Sequence, residues 1–286
     1  MRILLIAFAA FFCHSCQPVV HAEDHDLETT PGAAIVNTKG QTIETRFNTP
    51  PGYSRTVEAA GTWGAFLRNS KLKPDGAMVH FYNGEVKQNP GIYAAVLTWD
   101  VGSKDLQQCA DAVMRQRAEY WFSRNMPGKI HFNLTNGFKA GFSSWADGYR
   151  LRVKGNHTDW VKTAAPASGH ASLRQYLDVV YAYASTLSLS KELISIPYAE
   201  MKTGDVLIIG GTPGHAVTIM DMAVSKTGKK VFLLSQSYMP AQEIHILHNP
   251  QNREISPWYE LDEKSPVVLT PQWQFTTDQL KRFPEE

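Results

Sequence analysis

The chain has 286 residues, with 28 lysines and arginines against 27 aspartates and glutamates, so its formal net charge is +1. This balance argues against a nucleic-acid partner or an anionic membrane surface, because both need concentrated positive charge. The apolar content of 43% and the aromatic content of 11% are typical of a globular protein rather than a disordered one. Three cysteines are too few for a disulfide-stapled scaffold or a four-cysteine zinc site, and we expect neither a metal ion nor another cofactor.

The first 22 residues are predicted to be an export signal. A positive start is followed by an apolar run over residues 3–12, which is too short to cross a bilayer as a mature helix. Val20-His21-Ala22 suits ordinary signal peptidase, whereas Ser15-Cys16 suits a lipoprotein cut that leaves Cys16 acylated; an uncleaved anchor is the third alternative. We therefore expect an exported protein, in the periplasm or held in the cell envelope by a lipid. Its membrane contact would be through the signal or the lipid anchor alone.

The remainder is predicted to be an arm followed by one folded domain. Residues 23–50 are polar, lack a clear period and end in Pro50-Pro51-Gly52, which predicts a tether or extended arm. Residues 51–286 form a single domain in which helices come first and strands dominate later, a pattern typical of an α+β fold. Spacing of apolar residues predicts helices that begin near 62, span 105–124 and span 172–189. Alternating or β-branched runs predict strands over 77–82, 92–99, 206–209, 216–224, 231–235 and 244–247, with short strands between 125 and 169.

Cys109 lies near the start of the predicted helix 105–124. With Asp105 as the N-cap and Gln108 three residues later, the spacing is that of a capping box, which places Cys109 at the end of the first turn. The positive end of the helix dipole stabilises a thiolate there, but good nucleophilicity at neutral pH also needs a partner such as a nearby imidazolium. A small buried core residue is the alternative interpretation, because free cysteines are often buried.

His215 is the best partner for this thiol, because the turn Pro213-Gly214 places it at the start of a predicted strand. Gln236 on the following strand is predicted to orient the imidazole. Asp221 shares the strand face of His215, but at about 3.3 Å per residue it lies roughly 20 Å away. Simple hairpin counting places a residue near Pro240 opposite His215, so contact with Gln236 requires a bulge or shear.

These segments resemble the histidine strand and the following asparagine strand of papain-like cysteine peptidases, and the cysteine at a helix start resembles NlpC-like and CHAP cell-wall amidases. The resemblance implies an α+β, papain-like or NlpC-like fold with the nucleophile helix packed on an antiparallel sheet. Cys109 would be the nucleophile, His215 the base and Gln236 the residue in the place usually held by asparagine. Papain's Gly-Ser-Cys-Trp context is absent. The oxyanion glutamine, which normally stands several residues before the cysteine, is not matched, although Gln107 and Gln108 stand immediately before Cys109 and are the oxyanion candidates.

Five longer segments surround Cys109, His215 and Gln236 and continue to the C-terminal side: residues 105–112, 115–120, 214–217, 235–242 and 256–259. These segments are similar to domain of unknown function family 4846, a set of exported bacterial proteins, and this resemblance implies no known activity.

We therefore expect a cysteine peptidase or amidase that acts on an amide bond, with a peptide or peptidoglycan fragment as its partner. Trp145, Trp258 and Tyr259 are predicted to line the substrate groove, with core packing as the alternative. The main rival function is a non-catalytic envelope binding protein built on a degraded peptidase fold. A purely structural partner of an envelope assembly is a third hypothesis.

Overall fold

The computed structural model describes residues 34–262 and 264–284, all of which belong to one compact unit, Ala33–Glu286. The predicted export signal, residues 1–22, lies outside the described residues, as do Cys13 and Cys16. Within the described part of the chain, no helix is both long and apolar enough to cross a membrane.

Helices and strands alternate in the first half of the chain, and strands dominate the second half. The helices are α1 Ile43–Arg46, α2 Trp63–Arg68, α3 Cys109–Ser123, α4 Phe142–Ala146, α5 His170–Tyr183 and α6 Thr186–Glu192. The strands up to the middle of the chain are β1 Tyr53–Arg55, β2 Tyr93–Val96, β3 His131–Asn133, β4 Lys139–Gly141, β5 Tyr149–Lys154, β6 His157–Lys162 and β7 Ile194–Ser195. The later strands are β8 Val206–Ile209, β9 His215–Ser225, β10 Lys230–Gln236, β11 His245–Leu247, β12 Tyr259–Leu261, β13 Val267–Leu269, β14 Gln274–Thr276 and β15 Leu280–Arg282.

The centre of the fold is a nine-stranded antiparallel sheet in the order β2-β11-β10-β9-β8-β15-β7, with β1 also paired to β9 and β12 to β10. Strand β9 is buried along most of its length, because its side chains contact hydrophobic clusters on both faces of the sheet. Helix α3 packs against β9, and three separate hairpins, β3–β4, β5–β6 and β13–β14, complete the structure. The mixed α+β class and the antiparallel sheet are therefore confirmed.

The predicted strands of the C-terminal half are confirmed to within a residue or two at each end. By contrast, residues 77–82 form only two isolated bridges, His80 with Val86 and Phe81 with Gln242, with a turn at Gly84. The predicted helix 172–189 is two helices, because the chain leaves the helical conformation at Ala184 and Ser185 caps α6.

The predicted start of the helix that carries Cys109 was wrong by four residues. Helix α3 begins at Cys109 with Gln108 as its N-cap, and the Gln108 amide donates to Asp111 Oδ2 at 3.0 Å. Asp105 is not a cap, because it lies in a separate turn and its Oδ1 accepts a hydrogen bond from the Ala241 amide at 2.7 Å.

The described part of the predicted arm is folded. Residues 34–50 belong to the compact unit, and Ile43 and Phe47 are fully buried there in a cluster with Leu67 and Trp258. The sequence did not predict this packing, because a four-residue helix buries only one or two side chains and so produces no periodic pattern of apolar residues. The folded unit therefore begins before residue 51.

Candidate functional site

Cys109 is the first residue of α3 and lies against the start of β9. Its side chain is only 7% exposed. Burial raises the pKa of the thiol to about 11, and the nearby Asp111 carboxylate acts in the same direction. The backbone amides of Ala110 and Ala216 donate towards the sulfur and oppose this rise. The resting thiol is consequently neutral at pH 7.

His215 is the first residue of β9, and its ring is almost completely buried. Its Nε2 lies 2.9 Å from Gln236 Oε1. The rings of Tyr238, Trp273 and Phe275 pack around the imidazole at centroid distances of 5.0, 5.1 and 5.8 Å, which keeps water from the histidine–glutamine bond. Burial lowers the pKa of His215 to about 4, the bond to Gln236 opposes that shift, and the positive charge of Lys87 adds to it.

The pairing of β9 with β10 shifts by one residue at Leu233 and Leu234, where β9 has the extra residue, and this bulge brings Gln236 to the face of the sheet that carries His215. Before the bulge Leu233 pairs with Asp221, and after it Leu234 pairs with Ile219 and Ser235 with Thr218. If this pairing is continued past Ser235, Tyr238 lies opposite His215. Gln236, two residues before Tyr238, lies on the same face of the sheet. The bulge or shear that the sequence required is therefore present.

The orientation of the Gln236 amide determines which nitrogen of His215 is basic. Gln236 Nε2 faces two acceptors, Gln272 Oε1 at 2.8 Å and His245 Nε2 at 3.3 Å, so its Oε1 is the atom that faces His215. An amide oxygen only accepts hydrogen bonds, so His215 carries its proton on Nε2. Nδ1 is therefore left with a free lone pair, as a general base for a thiol requires.

The Cys109 sulfur lies close to the backbone of the residue that follows His215. The Ala216 amide that donates towards the Cys109 sulfur belongs to the residue after His215, and Cys109 also raises the pKa of Tyr238, second to burial. Among the residues that the structure describes, 34–262 and 264–284, no hydrogen bond joins the Cys109 sulfur to the His215 ring. The free protein thus holds a neutral thiol at the first residue of α3 and a neutral imidazole at the first residue of β9.

A cleft of about 250 Å³ opens at Cys109. One wall is the start of α3 with Asp111, and the other is the loop Gly211–Gly214 together with Thr186 from the start of α6. Gly214 leaves no room for a side chain, since a Cβ there would collide with the Thr186 hydroxyl and with backbone oxygens of the loop. The exposed side chain of Met239 lies at the edge of the cleft.

Of the two predicted oxyanion residues, only Gln108 lines the cleft. Its Nε2 donates to Asp105 Oδ1 at 3.3 Å, which leaves the second amide hydrogen available. Gln107 points away, because its Oε1 accepts from Arg115 at 3.3 Å and from Arg174 at 3.5 Å. The assignment of Gln107 is corrected accordingly.

The three predicted groove aromatics are core residues, and that prediction was wrong. Trp145 donates to the Ser172 hydroxyl, Trp258 donates to the Asn48 carbonyl and Tyr259 donates to the His248 carbonyl. All three are 5% exposed or less. Each ring is held in the core because its polar atom has found a partner there.

Several site residues were absent from the sequence prediction. Tyr238 has the same strand parity as Gln236, so period-two counting along β10 could have indicated it. Asp111, Lys87 and Gln272 reach the site from a helix turn and from two loops, for which the sequence provides no such signal. Nowhere in the described residues do three or more His, Cys, Asp and Glu side chains form a group that could hold a metal ion.

We expect Asp111→Asn to lower the pH at which Cys109 becomes reactive. Burial raises the pKa of Asp111 to about 8, so its carboxylate is ionised where the thiol titrates, and asparagine removes that charge while keeping an acceptor for the Gln108 amide. The measurement is the rate of Cys109 alkylation by iodoacetamide from about pH 7 to about pH 11. Asp178→Asn, in an exposed pair with Lys104, is the control, and equal midpoints in all three proteins would contradict the effect.

No curated protein and no solved structure matches the chain. A family model described as a domain of unknown function, number 4846, matches residues 43–282. The match covers α1 to β15 and includes Cys109, His215 and Gln236. The chain therefore belongs to domain of unknown function family 4846.

Proposed function

We propose that this protein is an exported cysteine peptidase or amidase with a papain-like or NlpC-like fold, in which Cys109 is the nucleophile, His215 the base and Gln236 the residue that holds the imidazole. The observation that carries the proposal is the 2.9 Å bond between His215 Nε2 and Gln236 Oε1, beside a cleft that contains the thiol. This bond leaves Nδ1 of His215 as the basic atom, which suits it to accept the proton of Cys109.

In the proposed reaction, the Cys109 sulfur attacks the carbonyl carbon of the substrate amide while His215 Nδ1 takes the thiol proton. The C–N bond then breaks, His215 returns the proton to the leaving amine, and a thioester to Cys109 remains. Water attacks the thioester with His215 again as the base, which releases the acid and restores the thiol. Because both resting groups are neutral, proton transfer accompanies the attack instead of preceding it.

The start of α3 supplies donors for the developing oxyanion. The Gln108 side chain faces the cleft with a spare amide hydrogen, and the Cys109 backbone amide lies beside the sulfur. The Gln108 backbone amide does not contribute, because it already donates to Asp111 Oδ2. Such donors stabilise a tetrahedral intermediate more than the ground-state carbonyl.

The cleft and the predicted export signal together favour a peptide of the cell envelope as substrate. A volume of about 250 Å³ is below the roughly 300–1,000 Å³ typical of drug-sized ligand sites, so we expect a short segment to enter the cleft. Peptidoglycan stem peptides fit this requirement for an exported protein. The location would be the periplasm or, with Cys16 acylated, the membrane surface of the envelope.

Hydrolysis of stem peptides by the wild-type protein and by Cys109→Ala tests the proposal. We expect the wild-type protein to release new amino groups and the alanine variant to release none, because the nucleophilic atom is gone. Amine release is quantified by fluorescent labelling, and near-ultraviolet circular dichroism checks that both proteins fold. Equal release by the alanine variant would refute the mechanism.

A binding protein on the same fold is the second candidate function. This candidate is supported by the charge state of Cys109 and His215. Burial raises the pKa of Cys109 and lowers that of His215, so that neither is ionised at pH 7 and the thiol is not activated in the free protein. In that case the wild-type protein and Cys109→Ala would bind stem peptides with equal affinity by calorimetry, and neither would hydrolyse them.

A further inference from the structure

Lys87 is a buried lysine close to the site, and the proposed mechanism does not use it. It is 6% exposed and comes from the loop before β2. Its Nζ lies 2.7 Å from Gln242 Oε1 and 2.9 Å from Gln272 Oε1, and 5.8 Å from the centre of the Tyr238 ring. Burying an ammonium group is costly, so its hydrogen bonds must compensate for that cost within the fold.

The hydrogen bonds of Lys87 continue to His215 through two amides. Lys87 donates to Gln272 Oε1, Gln236 Nε2 donates to that same oxygen at 2.8 Å, and Gln236 Oε1 meets His215 Nε2 at 2.9 Å. A glutamine side chain can turn over and exchange its oxygen for its nitrogen, whereas an ammonium group can only donate. The lysine therefore fixes the direction of every bond in this chain.

A second contact acts on Gln236 in the same sense. His245 Nδ1 lies 2.8 Å from the Glu243 carbonyl oxygen, so it donates there, and Nε2 is left to accept from Gln236. The separation of Gln236 Nε2 from His245 Nε2 is 3.3 Å, longer than the 2.8 Å to Gln272. The shorter bond is the stronger constraint, and it depends on Lys87.

We infer that Lys87 is a positioning residue that acts through Gln272 and Gln236 to keep the proton of His215 on Nε2 and its Nδ1 free for the Cys109 thiol. The inference rests on the proposed function for its catalytic consequence. If Gln236 turned over, its Nε2 would donate to His215 Nε2, and the imidazole proton would move to Nδ1. His215 would then present a donor to the thiol and could not act as its base.

The test compares Lys87→Met with the wild-type protein in two measurements. Nitrogen-15 chemical shifts of His215 report which ring nitrogen carries the proton, and hydrolysis of stem peptides reports the rate. We expect a measurable fraction of the Nδ1-protonated form in Lys87→Met and a rate about tenfold lower. This is less than the roughly 10²–10⁴-fold contribution of general-base catalysis, because the molecules that keep the proton on Nε2 remain active. Lys87→Arg should retain the wild-type tautomer, because the guanidinium group donates hydrogen bonds and cannot accept them.

Two further variants keep the test decisive. Lys73→Met removes another lysine of this region, bound to Glu243 Oε1 at 2.6 Å, and should leave the His215 spectrum unchanged. Gln272→Leu breaks the same chain at a half-buried loop residue and should reproduce the tautomer shift even if Lys87→Met fails to fold. A His215 that stays protonated on Nε2 in folded Lys87→Met or Gln272→Leu overturns the inference. The nitrogen-15 shifts are measured without substrate, so they test the inference even if the protein hydrolyses nothing. If only the proposed hydrolysis is wrong, the wild-type protein will be inactive while the variants still change the tautomer of His215.

Discussion

His215→Asn should reduce amide hydrolysis by at least about 10⁴-fold, because it removes the group that we propose takes the Cys109 proton. Asparagine is the smallest change that still offers Gln236 Oε1 a hydrogen-bond donor in the space of the ring. The loss should appear in kcat with KM little changed, since His215 is 1% exposed and does not line the cleft. The measurement is the steady-state rate of amine release from a stem peptide.

His248→Asn is the matched control for this prediction. His248 is a half-buried histidine of the same sheet region, and its Nδ1 contacts the Ser256 hydroxyl at 3.1 Å, away from the cleft. We expect its rate to equal that of the wild-type protein. Loss of less than tenfold in His215→Asn would show that the imidazole is not the base.

Asp221→Ala should lower the free energy of unfolding by about 3–5 kcal/mol, the cost of breaking a buried ion pair on one side. Asp221 is fully buried on β9 and bonds Arg55 Nε at 2.8 Å and Arg68 Nε at 2.7 Å. Its Oδ1 also accepts from the Met222 amide. Alanine would leave the 7%-exposed Arg68 side chain without its counter-charge in the interior. Urea unfolding followed by tryptophan fluorescence gives the change directly.

Asp178→Ala provides the comparison, because its pair with Lys104 is exposed and should contribute no more than about 1 kcal/mol. If Asp221→Ala cost no more than Asp178→Ala, the carboxylate would not be holding β1 and α2 to β9. Both carboxylate oxygens of Asp221 bind these arginines, so the geometry excludes Asp221 as the residue that orients His215. A small loss of stability in Asp221→Ala would reopen that question.

Local sequence signals predicted the strands that carry the site. The turn Pro213-Gly214 marked the start of β9 at His215, and β-branched runs between turn residues marked β8 and β10. The same signals could suggest the pairing of Gln236 with His215 but could not establish it, because the pairing depends on a one-residue bulge at Leu233 and Leu234. A bulge is decided by how both faces of the sheet pack, and alternation along one strand does not reveal it.

The errors have a common physical origin in contacts between distant parts of the chain. Asp105 has the composition of a helix cap, yet the Ala241 amide takes its carboxylate, so Gln108 caps α3 instead. Trp258 was assigned to a groove, but the Asn48 carbonyl satisfies its indole in the core. Lys87 reaches Gln272 across 185 residues, a separation over which residue type and spacing contain no information.

The central claim is that Cys109 forms a covalent acyl intermediate with the help of His215. Its most direct test is the intact mass of the protein after brief mixing with an activated ester, such as a p-nitrophenyl ester of an N-acyl amino acid, followed by acid quenching and peptide mapping. We expect one added acyl group per molecule of wild-type protein, located on Cys109, and none on Cys109→Ala. We also expect acylation to be slowed by at least about 10³-fold in His215→Asn. An unmodified Cys109, or equal acylation of wild-type and His215→Asn proteins, would contradict the proposed mechanism.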